Sequence, residues 1–278
     1  MKFRFSILLF GIALCAEAQA APTPENEAIY EHAVRLGKAF QERLDQLILK
    51  EQQGEIDNLT MNQSLHEAMK GTEEVEEELR KASAGGHGVA TYALANAADG
   101  RADALETLQK QGRAETSLGD YRTKRAEACA LYQLAWDQGL IAGAVTALHS
   151  CDEAFIVYKL ANPESLRKQS QLVSTLNKPD LYSDYYPLPA RGSYCFKDLR
   201  IPEGNPAKPL SAMRDAMEPV SLSQEQFRAD GYYLLALKGD IAGPKVRDYF
   251  KHVQTLAPDC LDPAHLQALF KNMERNKP

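Results

Sequence analysis

The sequence lacks the short motifs that carry much of known enzyme chemistry. Its six histidines form no H-E-x-x-H zinc motif, and no G-x-S-x-G nucleophile elbow is present. Its cysteines form no C-x-x-C pair and no close Cys/His cluster, which argues against a metal site. The glycine-rich stretch Gly85–Gly88 follows no predicted strand, so it favours a turn between helices over a phosphate cradle. We therefore predict no catalytic residue, no bound metal and no cofactor.

The chain also has no excess of positive charge. It carries 32 basic and 38 acidic residues, a net charge of −6. Residues 1–20 contain two basic residues and one acidic residue, so the remainder carries 30 against 37 and a net charge of −7. An acidic balance argues against sequence-independent nucleic-acid binding and against a polybasic membrane-surface protein.

Only one long apolar run stands out, and it lies at the N-terminus. Two basic residues precede an apolar stretch over residues 5–16, and Ala18-Gln19-Ala20 has the small-x-small form of a cleavage site. The stretch is too short for a membrane anchor, and Leu14 stands where a lipoprotein signal needs a small residue before Cys15. The pattern predicts a signal peptide cleaved after Ala20, and a periplasmic or secreted mature chain without a membrane anchor.

Four cysteines remain after residue 20, and in an oxidising compartment we expect them to form disulfides. Four cysteines allow three pairings. Cys129 lies ten residues before Gly139 and Cys151 twelve after it, at similar heights on two facing helices if a hairpin turns at the glycine. This favours a Cys129–Cys151 bond, which leaves Cys195 with Cys260. Metal ligation and an activated thiol at Cys151 are the competing interpretations.

Apolar residues at helical spacing predict a chain built almost wholly of helices. The first is expected over about 26–50, and the second over about 64–81 with Ser64 as its N-cap and Glu67 completing a capping box. The acidic run from Glu73 to Glu78 is expected to be a solvated face. Further helices are predicted after Asn162-Pro163 and over about 222–238, 243–256 and 262–275.

A hairpin pattern recurs along the middle of the chain. Between Ala126 and Cys151, two small-residue helices flank a turn at Gly139. An earlier copy is expected to turn at Asp99-Gly100, between helices over about 89–98 and 102–111, and a fainter third spans Tyr232–Phe250. Repeats at a period of roughly 35 to 45 residues predict a helical solenoid.

The string ALYQLAWDQG, followed by a second small-residue helix, resembles the Sel1-like branch of the tetratricopeptide repeats. One match uses Ala130, Tyr132, Ala135, Gly139, Ala144 and Leu148, and a less complete one uses Tyr92, Ala97, Ala98, Gly100, Ala104 and Leu108. The resemblance covers residues 85–160, and the sequence departs from the family in its cysteine pair, its weak tandem regularity and the insertion that follows. It implies an all-α fold of stacked antiparallel helix hairpins and a non-enzymatic scaffold that binds a partner.

Residues 177–209 break the helical pattern with six prolines and two glycines. They also concentrate aromatic residues, which dominate binding hot spots. The candidate binding residues are therefore Tyr182, Tyr185, Tyr186, Tyr194 and Phe196. The same residues equally fit the packing of a disulfide-tied loop onto the helices. The predicted organisation is a signal peptide (1–20), a helical-repeat region (21–176), the irregular insertion (177–209) and a C-terminal helical region packed on the same domain (210–278).

The function expected from the resemblance and the compartment is binding of another protein in the periplasm. One candidate role is an immunity protein that neutralises a secreted antibacterial toxin, because exported Sel1-like proteins resemble members of that class. A scaffold or accessory factor in envelope assembly or polysaccharide export is the first alternative. An enzyme with its site in 177–209 is the second.

Overall fold

The computed structural model describes residues 21–55, 58–110, 120–152, 163–193, 195–196, 220–238, 244–260 and 271. In these ranges the chain is mostly helical, which confirms the all-α prediction. The helices are α1 (Pro24–Gln53), α2 (Asn58–Ala84), α3 (Gly88–Lys110), α4 (Tyr121–Asp137), α5 (Ile141–Ser150), α6 (Pro163–Leu176), α7 (Gln224–Lys238) and α8 (Pro244–Leu256). None of the described helices is both long enough and apolar enough to span a bilayer.

α1 is the long amphipathic helix that the apolar spacing predicts, with its first turn two residues earlier. Thr23 caps it by accepting a hydrogen bond from the backbone N–H of Asn26, and Gly54 ends it in the left-handed conformation at φ 73°. Its buried residues recur at helical steps and face α2, and they are Ala33, Phe40, Leu44 and Ile48.

The predicted start of α2 at Ser64 is wrong. The helix begins at Asn58, because residues 58–63 contain neither proline nor glycine and nothing in them stops a helix. Ser64 is consequently a buried interior residue, not a cap. The prediction that the acidic run from Glu73 to Glu78 is a solvated face is wrong at Glu76. This side chain is buried and accepts two hydrogen bonds from the guanidinium of Arg101, at 2.6 and 2.8 Å.

The turn predicted at Gly85–Gly88 is confirmed, with Gly86 at φ 93°. The turn predicted at Asp99-Gly100 is wrong, because α3 runs through both residues without a break. Gly100 instead provides space: a Cβ there would lie 3.2 Å from a guanidinium nitrogen of Arg191. Asp99 forms an ion pair with the same guanidinium. Both residues of the predicted turn therefore serve a long-range contact with Arg191, Asp99 through its charge and Gly100 by leaving room.

The α4–α5 hairpin is the local feature that the sequence predicts most completely. Gly139 turns the chain at φ 96°, and a Cβ on Gly143 would lie only 2.9 Å from the Cβ of Ala135, so the two helices are in close contact. Cys129 and Cys151 bond across the hairpin with their Cα atoms 5.4 Å apart, and the predicted pairing is confirmed.

The C-terminal helices α6, α7 and α8 begin close to their predicted positions, and Cys195 bonds Cys260, as predicted. A two-residue antiparallel pairing joins Leu188-Pro189 to Ser221-Leu222. Apart from residue 271, the predicted helix over 262–275 lies outside the described residues, as does the turn of the fainter third repeat.

Consecutive helices pack on one another from α1 through α5, and α7 packs on α5, α6 and α8. The main core draws on α3 to α8 and includes Tyr92, Tyr132, Leu172 and Phe227. A smaller cluster under α1 contains Ala33, Leu79, Ala82, Ala90 and Leu94. The irregular residues after α6 lie against the main core, and Tyr185 among them contacts Tyr30, which packs against both clusters. These residues contain the candidate site.

Candidate functional site

Residues 177–196, called here the aromatic segment, cross the ends of several helices. Tyr182 lies at its centre and is fully buried. The Tyr182 hydroxyl donates to the carbonyl of Gly86 at 3.1 Å and accepts from the backbone N–H of Gly88 at 2.8 Å. A Cβ on Gly88 would lie 2.8 Å from the tyrosine ring. Tyr182 therefore satisfies the backbone at the α2–α3 turn, and the glycine makes room for it.

A second contact of the aromatic segment caps α5. The residue before α5, Leu140, has no capping side chain. Asp180 supplies one from a distance: its carboxylate accepts from the backbone N–H of Ile141 at 3.1 Å. The Tyr186 hydroxyl accepts from the N–H of Ala142 at 3.2 Å and donates to Asp180 at 2.7 Å. Burial, followed by the charge of Asp180, raises the pKa of Tyr186 far above the usual tyrosine range. Two unpaired helix N–H groups are thereby satisfied.

A third contact reaches α1 through Tyr185. Its hydroxyl donates to the carboxylate of Glu27, and its ring meets those of Tyr30 and His87 edge-on, with centroids 5.7 and 5.4 Å away. Burial raises the pKa of Tyr30 to about 12, and Glu27 adds to that effect. The first turn of α1 is thus attached to the aromatic segment.

His87 lies beneath this contact with a fully buried side chain. Its ring stacks on Tyr30 with centroids 4.3 Å apart, and Nδ1 accepts a hydrogen bond from the backbone N–H of Ala90 at 3.3 Å. Nε2 therefore carries the proton of the neutral ring, and it lies 3.4 Å from a carboxylate oxygen of Glu27. Burial lowers the pKa of His87, and the Glu27 charge only partly opposes this.

Arg191 attaches the far end of the aromatic segment through ion pairs. Its Nε lies 2.9 Å from Asp99, and the guanidinium also pairs with Asp103, both on α3. Arg125 of α4 pairs with the same two carboxylates and lies 3.6 Å from Glu106. The Arg191 and Asp99 side chains are only 12% and 7% exposed, so their ion pair is largely buried. Arg125, Asp103 and Glu106 are more exposed, at 27–33%.

The five predicted binding residues differ in how deeply they are buried. Tyr182 is fully buried, and Tyr186 is half-buried with its hydroxyl bonded to Asp180 and to the N-terminus of α5, so packing accounts for both. That either residue binds a partner stays a prediction. Tyr185 and Phe196 are likewise half-buried and pack against the main core, and their role in binding stays a prediction. Tyr194 lies outside the described residues.

Sequence reasoning missed Glu27, His87, Asp180 and Arg191. His87 follows Gly85-Gly86 directly before α3, and a polar residue in that position is a signal for a helix N-cap. Asp180 and Arg191 carry no such signal, because their partners lie 39 residues and about 90 residues away in sequence.

Leu181, Asp184 and Pro187 are exposed on the solvent side of the aromatic segment, beside half-buried Tyr185. We call these four residues the outer face. Across the ranges that the structure describes, no three His, Cys, Asp or Glu side chains are grouped in a way that could hold a metal ion. Comparisons with protein-family models, with curated proteins and with solved structures find no match to this chain.

Proposed function

We propose that this chain is an exported helical-repeat protein that works by binding another protein through the outer face. Two facts carry the proposal. The aromatic segment is fixed to the helices through Tyr182, Tyr186 and Arg191. Within the same segment, Leu181 stays 37% exposed. A surface that is already ordered loses little conformational entropy on binding.

The composition of the outer face suits a protein partner. Leu181 and Pro187 are exposed, Tyr185 is half-buried, and the polar residues Ser183 and Asp184 between them are also exposed. Apolar anchors surrounded by polar groups are typical of hot spots in protein interfaces. The exposed Asp184 carboxylate favours a partner that presents a basic side chain together with an apolar surface.

The compartment follows from the cysteines. Two disulfides, Cys129–Cys151 and Cys195–Cys260, indicate an oxidising, non-cytoplasmic environment. The basic, apolar and small-x-small pattern of residues 1–20 supports export and cleavage after Ala20. The proposed site of action is therefore the periplasm or the extracellular space.

Within this class, the Sel1-like resemblance favours an immunity protein that occludes a secreted antibacterial toxin. The α4–α5 hairpin supports that resemblance, whereas the earlier copy lacks its expected turn because α3 is continuous. Such a protein needs a rigid surface and no chemistry of its own. The proposal predicts that the mature chain inhibits one toxin stoichiometrically, whereas an envelope scaffold would bind its partner without inhibiting it.

The test uses affinity purification of the mature chain from native envelope extract, followed by titration of the captured protein against purified variants. Leu181→Ser should weaken binding roughly 10-fold to 30-fold, the loss typical of a hot-spot residue. Leu166→Ser is the matched control, because Leu166 is a similarly exposed leucine (45%) on α6. Equal affinities for both variants and the unaltered chain would rule out the outer face.

A further inference from the structure

The junction between α1 and the rest of the fold is built around one buried imidazole. From α1, the amide of Asn26 donates to the carbonyl of Gly85, Glu27 accepts from the Tyr185 hydroxyl, and Tyr30 stacks on His87. We call these contacts the latch. Within the described part of the chain, Nε2 of His87 makes no hydrogen bond.

The geometry requires the His87 ring to be neutral. Nδ1 is an acceptor for the N–H of Ala90, in the first turn of α3. A protonated ring carries hydrogen on both nitrogens, so this hydrogen bond would become a contact between two donors. The added positive charge would also lie at the N-terminus of α3, where the helix dipole is itself positive.

Four other ionisable side chains of the described residues face His87. Glu27 and Tyr30 face the ring from α1, and Tyr182 and Tyr185 face it from the aromatic segment. Burial raises the pKa of each of these tyrosines, so they stay neutral. Among the residues that the structure describes, Glu27 is the charge that acts on His87, and its attraction to a protonated ring offsets only part of the effect of burial.

We propose that the latch is a pH-sensitive switch: below about pH 6.5, protonation of His87 releases the first turn of α1 from Tyr185 and the α2–α3 turn. Release lets the imidazolium reach water, where its pKa returns to the ordinary value. Opening therefore takes up a proton, and mildly acidic pH favours it. Release breaks the contacts of Tyr185 with Glu27 and Tyr30, so the switch alters the surroundings of a residue in the outer face.

The size of the effect has an upper limit. If the closed state binds no proton at His87 and the open state has a pKa of about 6.5, opening increases at most about 30-fold between about pH 7.5 and pH 5.0. Partial protonation of the closed state reduces that factor, because both states then bind the proton.

Hydrogen–deuterium exchange of the full mature chain, corrected for the intrinsic pH dependence of exchange, measures this opening. In the unaltered chain, protection over residues 21–34 should fall several-fold between about pH 7.5 and pH 5.0. Protection over 121–150 should stay constant. Unchanged protection over 21–34, or simultaneous loss over both ranges, would overturn the proposal, because the second result is global acid unfolding.

Three variants separate the latch from general acid sensitivity. His87→Asn keeps an oxygen that can accept from Ala90 but cannot be protonated, so the pH effect should disappear. His32→Asn is the matched control on the exposed face of α1 and should retain it.

Glu27→Gln removes the Glu27 charge, which favours the protonated ring. The increase in opening between about pH 7.5 and pH 5.0 should therefore come closer to its limit of about 30-fold. It also keeps the proposal testable if the variant at position 87 does not fold. A pH response that survives His87→Asn, or one that Glu27→Gln reduces, would contradict the switch.

Discussion

At the residue scale, the tyrosines of the aromatic segment act through their hydroxyl groups as much as through their rings. The hydroxyls of Tyr182 and Tyr186 satisfy backbone groups at helix ends, and that of Tyr185 binds a carboxylate. A buried backbone group without a partner is strongly unfavourable, so these positions need a tyrosine where a phenylalanine would fill the same volume.

Tyr182→Phe should lower the free energy of unfolding by about 1–3 kcal/mol, because the N–H of Gly88 then lies buried without a partner. Urea denaturation measures the loss. Tyr121→Phe is the control, since within the described ranges the Tyr121 hydroxyl accepts a hydrogen bond from the exposed Arg122 side chain, and it should change stability by less than about 0.5 kcal/mol. Equal losses in the two variants would contradict the role assigned to Tyr182.

At the element scale, replacing either of two helical glycines by alanine should have opposite effects on stability. Gly143 of α5 faces α4 with no space for a side chain: a Cβ would lie 2.9 Å from both the Cβ of Ala135 and the backbone nitrogen of Trp136. At Gly37, inside α1, a Cβ would meet no described atom within 4 Å apart from the neighbouring backbone of its own helix. Helix propensity favours alanine over glycine at both sites by about 1 kcal/mol.

Gly143→Ala should therefore destabilise the protein by about 1–3 kcal/mol, since backbone atoms of α4 would have to move. Gly37→Ala should stabilise it by up to about 1 kcal/mol. Thermal unfolding of the two variants side by side measures the difference. The close contact between α4 and α5 would be disproved by a Gly143→Ala variant as stable as the parent chain.

The same elements show what the sequence could predict. The α4–α5 hairpin and its disulfide were predictable because Gly139, the apolar steps and both cysteines lie within 23 residues. The turn at Gly100 was wrongly predicted because Arg191, which determines the role of that glycine, is about 90 residues away. Tyr182 and Tyr185 looked alike in sequence, and only their distant partners distinguish a buried contact from a partly exposed one.

At the scale of the whole molecule, the aromatic segment connects parts of the chain that are far apart in sequence. Its contacts reach α1 at Glu27, the α2–α3 turn at Gly86, α5 at Ile141 and, through Cys195, the region beyond α8 at Cys260. A segment with little regular structure is thereby fixed on a helical framework, and its solvent side becomes a stable surface. The proposed function depends on that surface.

The central claim is that the outer face contacts a protein partner, and photo-crosslinking tests it most directly. A photoreactive phenylalanine analogue at position 181 of the exported chain should crosslink to one protein in native envelopes, and the same analogue at position 166 should not. The crosslinked protein should be the one whose binding Leu181→Ser weakens. Crosslinking to the same protein with equal yield from both positions, or none from position 181, would contradict the account.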